Sequence, residues 1–149
     1  MKFRSKLAIT SLLGKVMAQQ IANTINTLDE LPDGLLPVPL HSSRQRERGY
    51  NQALELARPI AKQLQLPLLT QFARRPKPTP PQSSLSFQQR KQNLENAFDI
   101  VASVKGMHIA IIDDVMTSGS TVNALAKKLK QAGAQRVSIW CLCRSEPPS

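Results

Sequence analysis

The segment from Ile109 to Thr121, Ile-Ala-Ile-Ile-Asp-Asp-Val-Met-Thr-Ser-Gly-Ser-Thr, limits the fold more than any other part of this chain. Met107 to Ile112 is largely apolar and rich in isoleucine, which fits a central parallel strand covered on both faces. Asp113 and Asp114 follow at its carboxyl end, where open α/β sheets bind ligands. A turn of small residues comes next. Ser120 to Ala132 then has helical spacing and is closed by Gly133 at the C′ position.

The chemistry of this segment divides in two. Thr117, Ser118, Gly119, Ser120 and Thr121 can offer backbone N–H groups and up to four hydroxyls to one phosphate, helped by the positive end of the helix. Gly119 permits close approach of backbone to ligand. Asp113 and Asp114 would repel a phosphate in contact with them. They suit sugar hydroxyls or a hydrated Mg²⁺. A phosphate on the loop and a diol on the acids together describe a 5-phosphorylated ribose. The alternative is an Asp/Ser/Thr-rich helix cap, which is common. Against it, two unpaired acids after a buried strand cost stability unless something binds them.

The rest of the chain alternates helices and strands. Apolar spacing predicts an amphipathic helix from Lys6 to about Thr27, with Leu7, Leu12, Val16, Ile21, Ile25 and Leu28 on its apolar face. Asp33-Gly34 is a turn, and Leu35–Leu40 a short strand whose Pro37 and Pro39 argue for an edge or an irregular end. A helix is expected over about Tyr50–Leu64, with Pro59 predicting a break or kink. A strand is expected over Pro67–Ala73. Residues 74–85 hold four of the eleven prolines with Arg74, Arg75 and Lys77, and resist regular structure. Ser86 and Gln89 have the spacing of a capping box opening a helix to about Ala97. Phe98–Ala102 and Arg136–Cys143 are the remaining expected strands, with a turn at Lys105-Gly106. The order implies one α/β domain over 1–149 around a mostly parallel sheet.

Composition narrows the function. Basic residues number 20 against 10 acidic, for a net charge of +10. Between Arg44 and Leu94 there are ten basic residues and only Glu47 and Glu55 on the acidic side, so this third carries +8 of the +10. Such a block points to a phosphate-rich partner, although charge alone does not separate that from a solvated basic face. Mean hydropathy is −0.26, and the longest unbroken apolar run, Ile139–Cys143, is far short of the about 20 residues of a spanning helix. No membrane partner is expected. No apolar signal core follows Met1–Arg4, and two cysteines make neither a disulfide framework nor a four-ligand zinc site, so a cytoplasmic location is expected. His41 and His108 are too far apart to imply a metal pair. Cys141 and Cys143 share one face of a strand, and Trp140 and Phe98 read as core.

Residues 109–121 closely resemble the 13-residue PRPP (5-phosphoribosyl 1-diphosphate) motif of type I phosphoribosyltransferases. More motifs of one branch occur in order: Val38-Pro39-Leu40-His41, then Arg44, Arg46 and Arg48-Gly49-Tyr50-Asn51-Gln52-Ala53, then Gln82, Arg90, Asn93 and Ala97-Phe98, and finally Trp140–Arg144. On these the chain resembles the ComF/GntX family. The resemblance implies a type I phosphoribosyltransferase-like fold with a mostly parallel central sheet flanked by helices. Members often carry an N-terminal cysteine-rich zinc module, of which nothing is present here.

By this resemblance Asp113 and Asp114 hold the ribose hydroxyls, and Thr117, Ser118, Gly119, Ser120 and Thr121 cradle the 5′-phosphate. Leu40, His41, Arg44, Arg46 and Arg48 lie in the pyrophosphate loop, where forked guanidinium bonds would surround a diphosphate. Relatives often have a cis non-proline peptide there, at Leu40-His41 or His41-Ser42 in this chain. Residues 74–86 match the mobile catalytic loop, with Arg74, Arg75, Lys77 and Arg90 as candidate catalytic cations; a linker without that role is the alternative. Mg²⁺ would arrive with PRPP, reaching Asp113 and Asp114 through water, with no metal held directly by Cys or His. The implied reaction is ribosyl transfer to an amine or base with release of pyrophosphate. Thr117 stands where purine-type relatives often carry an acid, which argues against purine salvage. The family also implies a link to competence and DNA utilisation. The other function class is therefore a PRPP- or nucleotide-sensing module, or an accessory that contacts single-stranded DNA or a helicase-type partner. A homodimer fits either.

Overall fold

A computed structural model describes residues 2–25, 31–40, 49–76, 86–116 and 119–144, and at 2, 3, 90, 91, 94 and 95 the backbone alone. In chain order the elements are α1 (Lys2–Ile25), β1 (Gly34–Pro37), α2 (Gln52–Leu64), β2 (Ala73–Arg74), α3 (Phe87–Glu95), β3 (Asp99–Ile100), β4 (His108–Met116), α4 (Ser120–Gln131) and β5 (Arg136–Arg144).

Among the described residues the main sheet is parallel, with β4 between β1 and β5. Alternation along β4 explains its continuous apolar sequence. Ile109 and Ile111 enter one cluster, with Val104, Phe98 and the α4 residues Val122, Leu125 and Leu129. Ala110 and Ile112 enter the other, with Met17 and Ala18 of α1 and Leu56, Ala57 and Ile60 of α2. Each of the four is fully buried. A strand that serves two cores has no face left for polar residues until it leaves them.

Several expectations are met in detail. Gln89 N donates to Ser86 Oγ at 3.2 Å and Ser86 N to Gln89 Oε1 at 3.1 Å, so the capping box is formed. Gly133 has φ 106°, and Ala134 N donates to Leu129 O, closing α4 in the left-handed conformation expected of C′. His108 starts β4, its N donating to Asp33 Oδ2 at 2.7 Å and its Nε2 lying 2.8 Å from Ser138 Oγ.

Others are corrected. The expected strand over 67–73 is two separate pieces. Leu68 bridges Leu35 in parallel, beside β1, whereas Ala73–Arg74 pairs antiparallel with β3 in a second small sheet. The strand expected over Phe98–Ala102 is that two-residue β3. The strand expected over 35–40 stops at Pro37, and β1 lies between the Leu68 bridge and β4 rather than at an edge. Leu35 N donates outward to Pro67 O and Val38 N inward to Ile112 O. Alternation then points the missing donor of Pro37 away from β4, so the ladder to β4 loses nothing. Pro59 does not break α2, which runs through it.

The face of α1 is also different. Gly14, Met17 and Ala18 are buried, whereas Leu12 and Val16, expected inward, are exposed. A Cβ on Gly14 would meet Pro59 Cγ at 2.7 Å and Leu56 O at 3.0 Å. Small residues let the two helices approach closely, and this wins over the larger apolar stripe.

Candidate functional site

β4 outlasts β1. Pairing with β1 ends at Pro37–Ile112, while pairing with β5 continues through Asp113–Cys141 to Met116–Arg144. The strand expected to end at Ile112 therefore extends to Met116. Asp113 and Asp114 stand where it has lost one neighbour and kept the other. Alternation puts them on opposite sides. Asp113 follows Ile109 and Ile111, and Asp114 follows Ala110 and Ile112. Asp114 N donates to Asp113 Oδ1 at 2.9 Å. Burial, foremost, and then the Asp114 side chain push the Asp113 carboxyl from 3.8 up to about 7. The pair thus holds a proton near neutral pH that an incoming hydrogen-bond donor would displace. Across the ladder, burial and then Asp113 itself push the Cys141 thiol up. That thiol is accordingly a weak nucleophile.

Asp113, Val115, Met116, Gly119, Ser120, Thr121 and Val122 line a hollow of about 40 Å³. Gly119 is the N-cap of α4, with φ 78° and no side-chain cap bond. A Cβ there would meet nothing closer than Asn123 Nδ2 at 3.5 Å. Glycine is required by the backbone conformation and not by lack of room. Glycine brings no capping side chain of its own to the start of the helix. Thr117 and Ser118 lie outside the described residues.

A larger pocket of about 480 Å³ opens at the carboxyl end of β1, lined by Pro37, Pro39, Leu40, Asn51, Leu54, Thr70, Ala73, Arg74, Arg75 and Pro76. It joins two groups that are separate in sequence, Leu40 and the pair Arg74 and Arg75. Its Pro37 pairs with Ile112, the residue before Asp113, so the pocket and the acid pair stand at the same end of neighbouring strands. Arg74 is in β2 with its Nε 4.0 Å from Asp99 Oδ2, and Arg75 lies 5.3 Å from the Phe98 ring centroid. Arg74 is exposed and approaches Asp99 only loosely, whereas Arg75 packs on Phe98, so regular structure and packing reach into the start of 74–85, expected to be irregular throughout. His41, Arg44, Arg46, Arg48 and Lys77, the expected cis peptide, and the side chain of Arg90 lie outside what is described.

Asn51 enters the sequence reading only as part of the family motif, with no role given to it. Its Oδ1 accepts from Ala53 N at 3.0 Å and Leu54 N at 3.4 Å, and its Nδ2 donates to Val38 O at 3.1 Å. It caps α2, ties it to the end of β1 and lines the larger pocket. An asparagine just before a helical apolar pattern was the available signal. Among the described residues no group of three or more His, Cys, Asp or Glu could hold a metal, and no helix is long and apolar enough to cross a membrane.

A parallel sheet with acids at its open end, a glycine-led helix start and an arginine pocket at the end of the neighbouring strand is the arrangement of a phosphoribosyl transferase type of domain, and residues 50–148 match that domain family. The chain belongs to this family, and the curated relatives it resembles are ComF-type proteins named for competence and DNA utilisation. It is 38% identical over 146 residues to DNA utilization protein YhgH of Salmonella typhimurium, covering 97% of this chain and 64% of the relative. It is 35% identical to competence protein F of Haemophilus influenzae, covering 97% and 65%. The chain thus spans slightly less than two thirds of these relatives. Among solved structures, glutamine PRPP amidotransferase from B. subtilis, complexed with ADP and GMP, superposes with a TM-score of 0.60 at 19% identity. The match covers 89% of this chain and 26% of that one. This likeness establishes the fold.

Proposed function

We propose that the chain binds PRPP and transfers its phosphoribosyl group to a nitrogen nucleophile, releasing pyrophosphate. The observation that carries this is the end of β4, where a half-buried acid pair is followed directly by a helix start whose cap is a glycine with φ 78°. The 5′-phosphate sits against Gly119, Ser120 and Thr121, and Thr117 and Ser118 complete its cradle. The ribose diol donates to Asp113 and Asp114. The diphosphate extends toward Arg74, Arg75 and Leu40, with His41, Arg44, Arg46 and Arg48 in the same loop.

In the reaction the nucleophile's lone pair forms the new bond at C1′. The C1′–O bond breaks, its electron pair leaves with pyrophosphate, and the proton shed by the nitrogen passes to solvent or to the departing pyrophosphate. The contribution of this chain is position and charge. Its acids hold the ribose while its arginines meet the leaving group. Lys77 and Arg90 are further candidates for that cationic role. The hard oxygen donors of Asp113 and Asp114 suit Mg²⁺ through water but do not form a cage. The ion therefore fits as a companion of the diphosphate, whose charge it would neutralise.

Calorimetric titration with PRPP and AMP, with and without Mg²⁺, tests the reading, together with pyrophosphate release in the presence of candidate amines. Binding of PRPP that Mg²⁺ strengthens supports it; PRPP failing to bind under any of these conditions refutes it. A second reading, contact with single-stranded DNA, is supported by the basic block between Arg44 and Leu94 and by Phe87, which is 79% exposed. Its signature is affinity that falls steeply with salt. Affinity that ignores salt would argue against it.

A further inference from the structure

The side chain that caps α2 does more than a cap requires. Asn51 Oδ1 accepts from Ala53 N at 3.0 Å and from Leu54 N at 3.4 Å. Serine or aspartate would serve those two donors as well. Among the favoured caps only asparagine also carries an N–H donor on its amide, and Nδ2 spends it on Val38 O at 3.1 Å. Val38 is fastened on its other side too, its N donating to Ile112 O at 3.0 Å. Ile112 directly precedes Asp113. The acid pair is thus joined through Ile112, Val38 and Asn51 to the start of α2, which carries one wall of the arginine pocket.

We propose that Asn51 is a positioning residue that sets the spacing between the two halves of the site. One half is the acid pair and helix start at the end of β4, and the other is the pocket at the end of β1. The inference rests on the phosphoribosyl-transfer reading above and deepens it. Pro39 and Leu40 follow Val38 into the pocket lining, and Leu54 enters it three residues after Asn51. The Asn51–Val38 bond therefore holds these two walls at a fixed separation. Val38 is buried and Asn51 half-buried, so water competes little for that bond. A ligand confined to one half does not sense the spacing. A ligand that spans both does, because binding two joined groups at once depends on the distance between their subsites. PRPP spans both halves in this reading, and ribose 5-phosphate fills only the β4 half.

Two neutral substitutions separate the cap from the tie. Asn51→Ser keeps an acceptor for the first turn of α2 but is too short to reach Val38 O as well. Asn51→Ala loses both functions. Calorimetric titration of the full chain compares PRPP, with Mg²⁺, and ribose 5-phosphate, while thermal unfolding reads stability. PRPP affinity should fall about tenfold in both variants alike, and ribose 5-phosphate affinity should stay within about twofold of the parent. Melting should rank the serine variant above the alanine variant, because only the first retains the cap. Affinity for the spanning ligand then follows the lost amide donor, whereas stability follows the cap.

PRPP affinity that follows the melting order, with the serine variant equal to the parent and only the alanine variant weakened, makes Asn51 a cap alone and overturns the proposal. Equal losses for PRPP and ribose 5-phosphate point to general loosening of the fold and likewise overturn it. Should the alanine variant not fold, the serine variant decides through the ratio of its two affinities. Failure of the proposal is distinct from failure of the reading beneath it. A parent that binds PRPP together with variants that bind it equally well removes the role of Asn51 alone. A parent that does not bind PRPP removes both.

Discussion

Replacing Asp113 by Asn separates what the acid does for the fold from what it does for the ligand. The carboxyl is half-buried and titrates at about 7 in the folded chain instead of 3.8. The unfolded chain therefore ionises first. Between the two values folding must keep the group protonated, so stability falls as pH rises from about 4 to 7 and stays lowered above that. Three pKa units correspond to a ceiling of about 4 kcal/mol. Partial exposure lets solvent screen the charge, and about 2 kcal/mol is the more realistic figure. The amide keeps the shape and can still accept from Asp114 N. Denaturant unfolding at pH 4 and pH 8 should show the variant equal to the parent at the lower pH and about 2 kcal/mol more stable at the higher. PRPP affinity at pH 8 should fall about tenfold, through loss of a charge-assisted bond. A stability gain independent of pH would refute the burial argument. Unchanged affinity would remove Asp113 from the ribose site.

Other outcomes follow from the same geometry. PRPP should bind more tightly as pH rises through about 7, with proton release on binding below that pH, because the diol requires the ionised carboxyl; calorimetry in buffers of different ionisation enthalpy checks this. Gly119→Ala should destabilise the chain by about 1–2 kcal/mol and weaken phosphate binding, and Gly119→Asn should cost less, since asparagine tolerates the left-handed region; thermal melts and phosphate titration compare them. Gly14→Ala gains up to about 1 kcal/mol of helix propensity but forces a Cβ against Pro59 and the Leu56 carbonyl. A net loss of about 1–2 kcal/mol in denaturant unfolding is expected, because the backbone cannot yield as a side chain can.

The site was most legible where its signals are local. β4, the glycine before α4 and the acids at the strand end all lie within one short segment, where periodicity and backbone chemistry agree. The capping box at Ser86 and the C′ glycine at 133 are likewise set by near neighbours. Reading failed where distant packing decides. The apolar periodicity of α1 follows Leu12 and Val16, but Gly14 and Ala18, with weak signals, allow the close approach that fixes which side is buried. That Arg75 lies against Phe98, or that residues 67–73 split between two sheets, depends on partners more than twenty residues away along the chain.

The two halves of the site also differ in how far the chain must travel to assemble them. The β4–α4–β5 unit holds the acids and the helix start within a single contiguous stretch, His108–Arg144. The arginine pocket is lined from Pro37 to Pro76, and bringing it beside the acids needs β1 laid against β4, a join whose first contact, Asp33 to His108, spans 75 residues. Closing so long a loop carries a larger entropic barrier than forming the local unit. Refolding should therefore begin from β4 and its successors, with β1 and its pocket docking afterwards. Core truncations such as Leu125→Ala would then chiefly slow refolding, whereas Leu36→Ala would chiefly speed unfolding, and stopped-flow chevrons would tell the two apart.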